Sequence, residues 1–221
     1  MNPFIAWLNQ ASAFASTPAA WGIFLTGAAI YLISEWRLRF LALVGQYFFV
    51  GIIFVRLFES RPEMALLKIL VGWLVAGAFL LSARIREQTA IAKGIQFRWS
   101  SHVSFRILSL TTMTVVAYLG AQRYTLPFIP NDLALACYFL AALAILFIGT
   151  EEQEASVLGV GMLNLLTALD IFYSARDPGL LVTGLLVMLT LLVGLAISYL
   201  TVAEVFEPAS RWEEKSSGGQ K

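Results

Sequence analysis

From Glu151 to Tyr199 the chain holds two long apolar runs joined by Arg176-Asp177-Pro178-Gly179. Crossing a hydrocarbon layer of about 30 Å takes about 20 apolar residues, and each run is long enough. The polar break between them carries a proline and a glycine, which suit a tight turn. The stretch is therefore a transmembrane hairpin, and the remaining spans are expected to pack around it. Composition agrees: 221 residues are 59% hydrophobic and 13% charged, where soluble domains are about half apolar and about a quarter charged. So little charge cannot cover a water-facing surface, so the excess apolar surface must face lipid or partner subunits.

Seven candidate spans follow in order, roughly 18–34, 40–58, 63–83, 103–122, 133–150, 155–175 and 180–203. Glu35-Trp36-Arg37-Leu38-Arg39 closes the first, 59–62 is a turn, 84–101 a polar loop, and 123–132 a loop with Pro127 and Pro130. The predicted fold is an all-α, multi-pass transmembrane bundle of about seven spans in one membrane domain, 18–203. Residues 1–17 form an interfacial segment with Phe4, Trp7 and Leu8 on its apolar side; lacking Lys and Arg, it does not read as a signal peptide. Residues 204–221 form a polar cytoplasmic tail, expected to be disordered. Lys and Arg favour cytoplasmic loops. With the N-terminus outside and the C-terminus inside, inner segments hold Arg37, Arg39, Arg84, Arg86, Lys93, Arg98, Arg211, Lys215 and Lys221, against Arg61, Arg123 and Arg176 outside. The expected location is the cell's inner (plasma) membrane.

Function classes narrow quickly. Net charge is +1, so no nucleic-acid partner is indicated. Cys137 is the single cysteine and reads as a small apolar core residue. His102 is the single histidine, which removes bis-histidine haem ligation and most Ser-His chemistry. No HExxH, GxSxG or phosphate-cradling glycine loop occurs. No catalytic residue, cofactor or metal site is called for, and an enzyme acting alone is the least favoured class.

Ionisable residues within spans are expensive and point to function. Lys68 lies about six residues, roughly 9 Å, into the third span, where it either snorkels to the headgroups or is a buried cation. Asp170 lies at matching depth in the sixth span, so the two are expected to pair inside the bundle. Asn164, Thr167 and Asp170 form a polar stripe at i, i+3, i+6, and Gln46 is a further polar group in the second span. These five are the ion-path or buried-polar candidates. Gly72-xxx-Ala76 and Gly194-xxx-Ser198 are helix-packing candidates, with Thr183 and Thr190 on the face of Gly194. Arg56 is expected to pair with Glu59. Arg106 and His102 read as positive anchors, and Glu151, Glu152 and Glu154 as a solvated turn.

Three stretches carry a resemblance: Trp36-Arg37-Leu38-Arg39-Phe40-Leu41-Ala42-Leu43-Val44-Gly45-Gln46-Tyr47; Ala65-Leu66-Leu67-Lys68-Ile69-Leu70; and Ser156-Val157-Leu158-Gly159-Val160-Gly161-Met162-Leu163-Asn164. The last three spans, 133–203, resemble the small K-type subunit of respiratory complex I and of cation/proton antiporters. The whole chain resembles component E of membrane-bound hydrogenase and formate hydrogenlyase complexes. The resemblance implies an integral subunit of a complex I-like, hydrogenase-like or antiporter-like assembly, beside larger multi-span antiporter-like subunits and concerned with proton or ion translocation. The chain departs from the family where a K-type glutamate is expected, because Asn164 stands there, and Met188 or a neighbour occupies the depth of the next acidic residue. An asparagine cannot carry a proton as a carboxylate does, so the implied role is scaffolding or sealing a neighbouring path. The alternative is a stand-alone small transporter or permease.

Overall fold

The computed structural model describes residues 17–33, 35–58, 62–92, 103–126, 129–149, 155–176 and 179–206. They form seven helices: α1 Thr17–Leu32, α2 Trp36–Leu57, α3 Pro62–Ala92, α4 Val103–Arg123, α5 Asn131–Ile148, α6 Ala155–Arg176 and α7 Leu180–Phe206. Hydrocarbon offers the backbone no partners, so a spanning segment must close its hydrogen bonds internally, as a helix does. Five of the helices are long and apolar enough to cross a membrane, and α1 and the 133–148 part of α5 are shorter apolar helices. The protein is a multi-pass helical membrane protein. Large apolar side chains stand exposed along α4 and α7, with Leu181 80% exposed and Phe105 67%, a surface suited to lipid rather than water.

The helix ends follow local chemistry. Pro62 opens α3 at a position where its missing N–H costs nothing. Gly149 ends α5, its N–H bonded to the Ile145 carbonyl at 2.8 Å. Three expectations are corrected. Trp36 to Arg39 form the first turn of α2 rather than a connector, and Arg39 Nε donates to the Ile33 carbonyl. The expected loop from Arg84 is helical through Ala92: Arg, Glu, Gln and Ala are good helix formers, and no Gly or Pro interrupts them before Gly94. Likewise α7 runs to Phe206, past the expected tail start at Glu204. The readings on residues 1–16, Glu59, His102, Glu151, Glu152, Glu154 and 207–221 lie outside the described residues.

Side by side, α1, α2, α3, α7, α6 and α5 close into a ring, and α4 packs outside on α5. One apolar core joins α1, α2, α5 and α6 through Ile23, Ile53, Phe54, Leu140 and Ile171. A second joins α2, α3, α5, α6 and α7 through Tyr47, Val75, Phe147, Leu163 and Ile197. Cys137 is buried in the first. Arg106 is buried between α4 and α1, where it donates to the Tyr31 carbonyl at 3.3 Å and its guanidinium lies 5.9 Å from the Tyr31 ring centre.

Glycine sets the approach of several pairs. A Cβ at Gly51 would overlap Ile69 of α3, and one at Gly159 would overlap Ile197 of α7. Gly77 and Gly184 have nothing within 4 Å of that position. Gly51→Val and Gly159→Val are therefore expected to destabilise the bundle by about 1–3 kcal/mol through overpacking. Gly77→Ala and Gly184→Ala should be neutral or stabilise by up to about 1 kcal/mol through helix propensity. Unfolding of the purified variants in one detergent checks both halves.

Candidate functional site

Four helices, α2, α3, α6 and α7, enclose a seam that collects most of the buried polar side chains. Lys68 projects from α3 and Asp170 from α6. They form an ion pair across the diagonal of the seam, with each side chain 6% exposed. Lys68 Nζ donates to Asp170 Oδ2. The other carboxylate oxygen accepts from Ser174 Oγ at 3.2 Å, one turn along α6. Lys68 Nζ also lies 5.1 Å from the centre of the Phe54 ring of α2, close enough for a cation–π contribution. The ammonium is thus held inside the bundle and does not snorkel. Lone charges here would be costly, and the pair brings two charges into hydrocarbon as a neutral unit.

Two turns along α6 lies a second polar contact. Gln46 Nε2 of α2 donates to Asn164 Oδ1 at 2.7 Å. Between the two layers, Thr167 Oγ1 donates to the Leu163 carbonyl at 2.7 Å, and Thr190 Oγ1 to the Leu186 carbonyl at 2.9 Å. A cavity of about 20 Å³ sits at this level, reached by Tyr47, Lys68, Thr167, Asp170 and Thr190. Gly72 makes it possible: a Cβ there would overlap the Tyr47 ring, which packs into the seam against α3.

Beyond the amide pair the seam turns apolar. Val75 fills the space left by Gly194, and Ile197 the space left by Gly159. Past this plug Ser82 Oγ donates to the Ser198 carbonyl at 3.0 Å, bringing α3 against α7. Ala76 is fully buried in the same core. Gly72, Ala76, Gly194 and Ser198 therefore all lie on close-packed faces, although Gly72 receives a tyrosine ring rather than a facing helix backbone.

The structure brings Lys68 together with Asp170 and Gln46 with Asn164, and it sets Thr167 between them. Tyr47, Phe54 and Ser174 were missed as members of the site. In sequence a tyrosine and a phenylalanine look like any interfacial or lipid-facing aromatics, and Ser174 sits near a span end. The signal that could have found Ser174 is its i+4 spacing from Asp170. Among the described residues, Gln46 Oε1, Tyr47 Oη, Asn164 Nδ2, Thr183 Oγ1 and Ser198 Oγ are buried without a hydrogen-bond partner. No group of three or more His, Cys, Asp or Glu side chains among the described residues could hold a metal ion. No protein-family model, curated protein or solved structure matches the chain.

Removing one member of a buried pair strands the other charge, at a cost of about 3–5 kcal/mol, whereas replacing both with apolar residues is often neutral or better. Lys68→Met and Asp170→Leu are each expected to destabilise the protein by about that amount, and the double variant to recover most of the loss. Thermal or denaturant unfolding of the four proteins in the same lipid or detergent checks the cycle. Additive losses would show that the two charges do not depend on each other.

Proposed function

We propose that the chain is a non-catalytic integral subunit of a complex I-like, hydrogenase-like or cation/proton antiporter-like membrane assembly. It packs against a larger multi-span antiporter-like subunit and scaffolds or seals that subunit's proton or ion path. In this reading its N-terminus lies outside and its C-terminus inside the plasma membrane.

The observation that carries the reading is the size and character of the polar seam. Its cavity of about 20 Å³ is room for one water molecule, since a water needs about 10–15 Å³ of such space. A cavity of that size holds a water rather than an organic solute, which suits a role with protons or small ions. Lys68 and Asp170 form a charge-neutral pair in the seam, so the subunit can stand beside a charged path without adding net charge to it. Asn164, which stands where the resemblance implies a K-type glutamate, is bonded to Gln46, and this suits a helix-to-helix contact better than a proton carrier.

The test is affinity purification at native expression in a mild detergent, followed by mass spectrometry. Large multi-span antiporter-like or redox subunits are expected to co-purify in fixed stoichiometry. A protein that purifies alone contradicts the assembly and leaves a stand-alone transporter, for which a flux assay on Lys68→Ala is the next measurement.

A further inference from the structure

The Tyr47 hydroxyl poses a physical problem. Tyr47 is 7% exposed, and its Oη has no hydrogen-bond partner. A buried hydroxyl without a partner forfeits the hydrogen bonds it would make in water and is destabilising. The same side chain lines the cavity, together with Lys68, Asp170, Thr167 and Thr190. Each of these groups has capacity left. The Lys68 ammonium has three N–H donors, of which one goes to Asp170. The Thr167 and Thr190 hydroxyls donate to backbone carbonyls, so their oxygen lone pairs can still accept. Tyr47 supplies a donor with no acceptor.

We propose that this cavity is a binding site for one water molecule, anchored by the Tyr47 hydroxyl, through which the buried Lys68–Asp170 pair exchanges protons. A water there accepts from Tyr47 and Lys68 and donates to Asp170 and a threonine oxygen. That meets the two to four polar partners a buried water needs, and about 20 Å³ meets its volume. Apolar cavities of this kind stay dry, but this one has a charged wall. The exchange step balances. As an Nζ–H bond of Lys68 breaks, its proton joins the water oxygen; one of the water's own protons passes to the Asp170 carboxylate. The products are a neutral amine and a neutral acid, the water is regenerated, and the total charge of the pair is unchanged. Tyr47 is a positioning residue in this account, because it holds the water and loses no proton itself. The proposal does not depend on which proteins surround the chain.

The experiment uses the full chain in lipid bilayers with ¹⁵N-labelled lysine, and water as the probe. Solid-state NMR reads magnetisation transfer from water to Lys68 Nζ, whose resonance is assigned by its loss in Lys68→Met. Transfer to Lys68 is expected in the wild-type protein. Tyr47→Phe, which removes the anchoring hydroxyl and keeps the ring, is expected to lower it several-fold while leaving the Lys68–Asp170 contact intact. Val187→Ile adds one methylene to a cavity wall and is expected to lower it likewise by occupying the space. No transfer to Lys68 in the wild type overturns the proposal. So does undiminished transfer in folded Tyr47→Phe or, should that variant not fold, in Val187→Ile.

Discussion

A charge in hydrocarbon must find an opposite charge or stay out, and this bundle is organised around the place where Lys68 and Asp170 meet. Lys68 and Asp170 come from helices about a hundred residues apart in sequence and reach each other across the diagonal of a four-helix seam. Their contact fixes how α3 and α6 stand along the membrane normal. A slip of one helical turn would move either charge by about 5.4 Å, breaking the pair and leaving each charge alone among Val, Leu and Phe side chains. Few apolar contacts constrain register so sharply. Ser174 and the Phe54 ring then complete the surroundings of the carboxylate and the ammonium.

Lipid tails are as apolar as leucine, so burial alone does not drive these helices together; close packing and hydrogen bonds must do so. The bundle uses both around the seam. Gly51, Gly159 and Gly194 admit Ile69, Ile197 and Val75 into the spaces where side chains would otherwise stand. Gly72 admits the Tyr47 ring, and Tyr47 lines the same cavity as Lys68 and Asp170. The Gln46–Asn164 bond ties α2 to α6 at the next polar level. Below it the Val75 and Ile197 contacts separate this polar half from the Ser82–Ser198 contact. The seam is thus polar in its middle and stoppered on one side.

Much of this was legible in the sequence, for identifiable reasons. Apolar runs broken by Pro, Gly and charge set the helices. The shared depth of Lys68 and Asp170 implied their pairing, since the cost of burying either alone leaves few alternatives. Helix ends were less legible. Charged residues mark where a chain leaves hydrocarbon, but a helix ends only where a breaker or a cap ends it. Arg84, Arg86 and Glu87 leave the apolar zone and stay helical, as do Arg37 and Arg39 at the start of α2. Partners within the seam were least legible. Gln46 and Asn164 each announce a polar need, yet which distant helix answers it depends on ring order. Tyr47 announces nothing until Gly72 is seen to make room for it.

The most direct measurement of the central contact is the dipolar coupling between ¹⁵Nζ of lysine and the side-chain carboxyl carbon of ¹³C-labelled aspartate, recorded in lipid bilayers. Among the described residues the Lys68–Asp170 pair is the one place where the two labels touch. The account predicts a strong coupling at the Lys68 resonance, matching an ammonium within about 4 Å of the carboxylate oxygens, and its loss in Asp170→Asn. A Lys68 resonance without that coupling, in a protein that is folded and membrane-embedded, would contradict it.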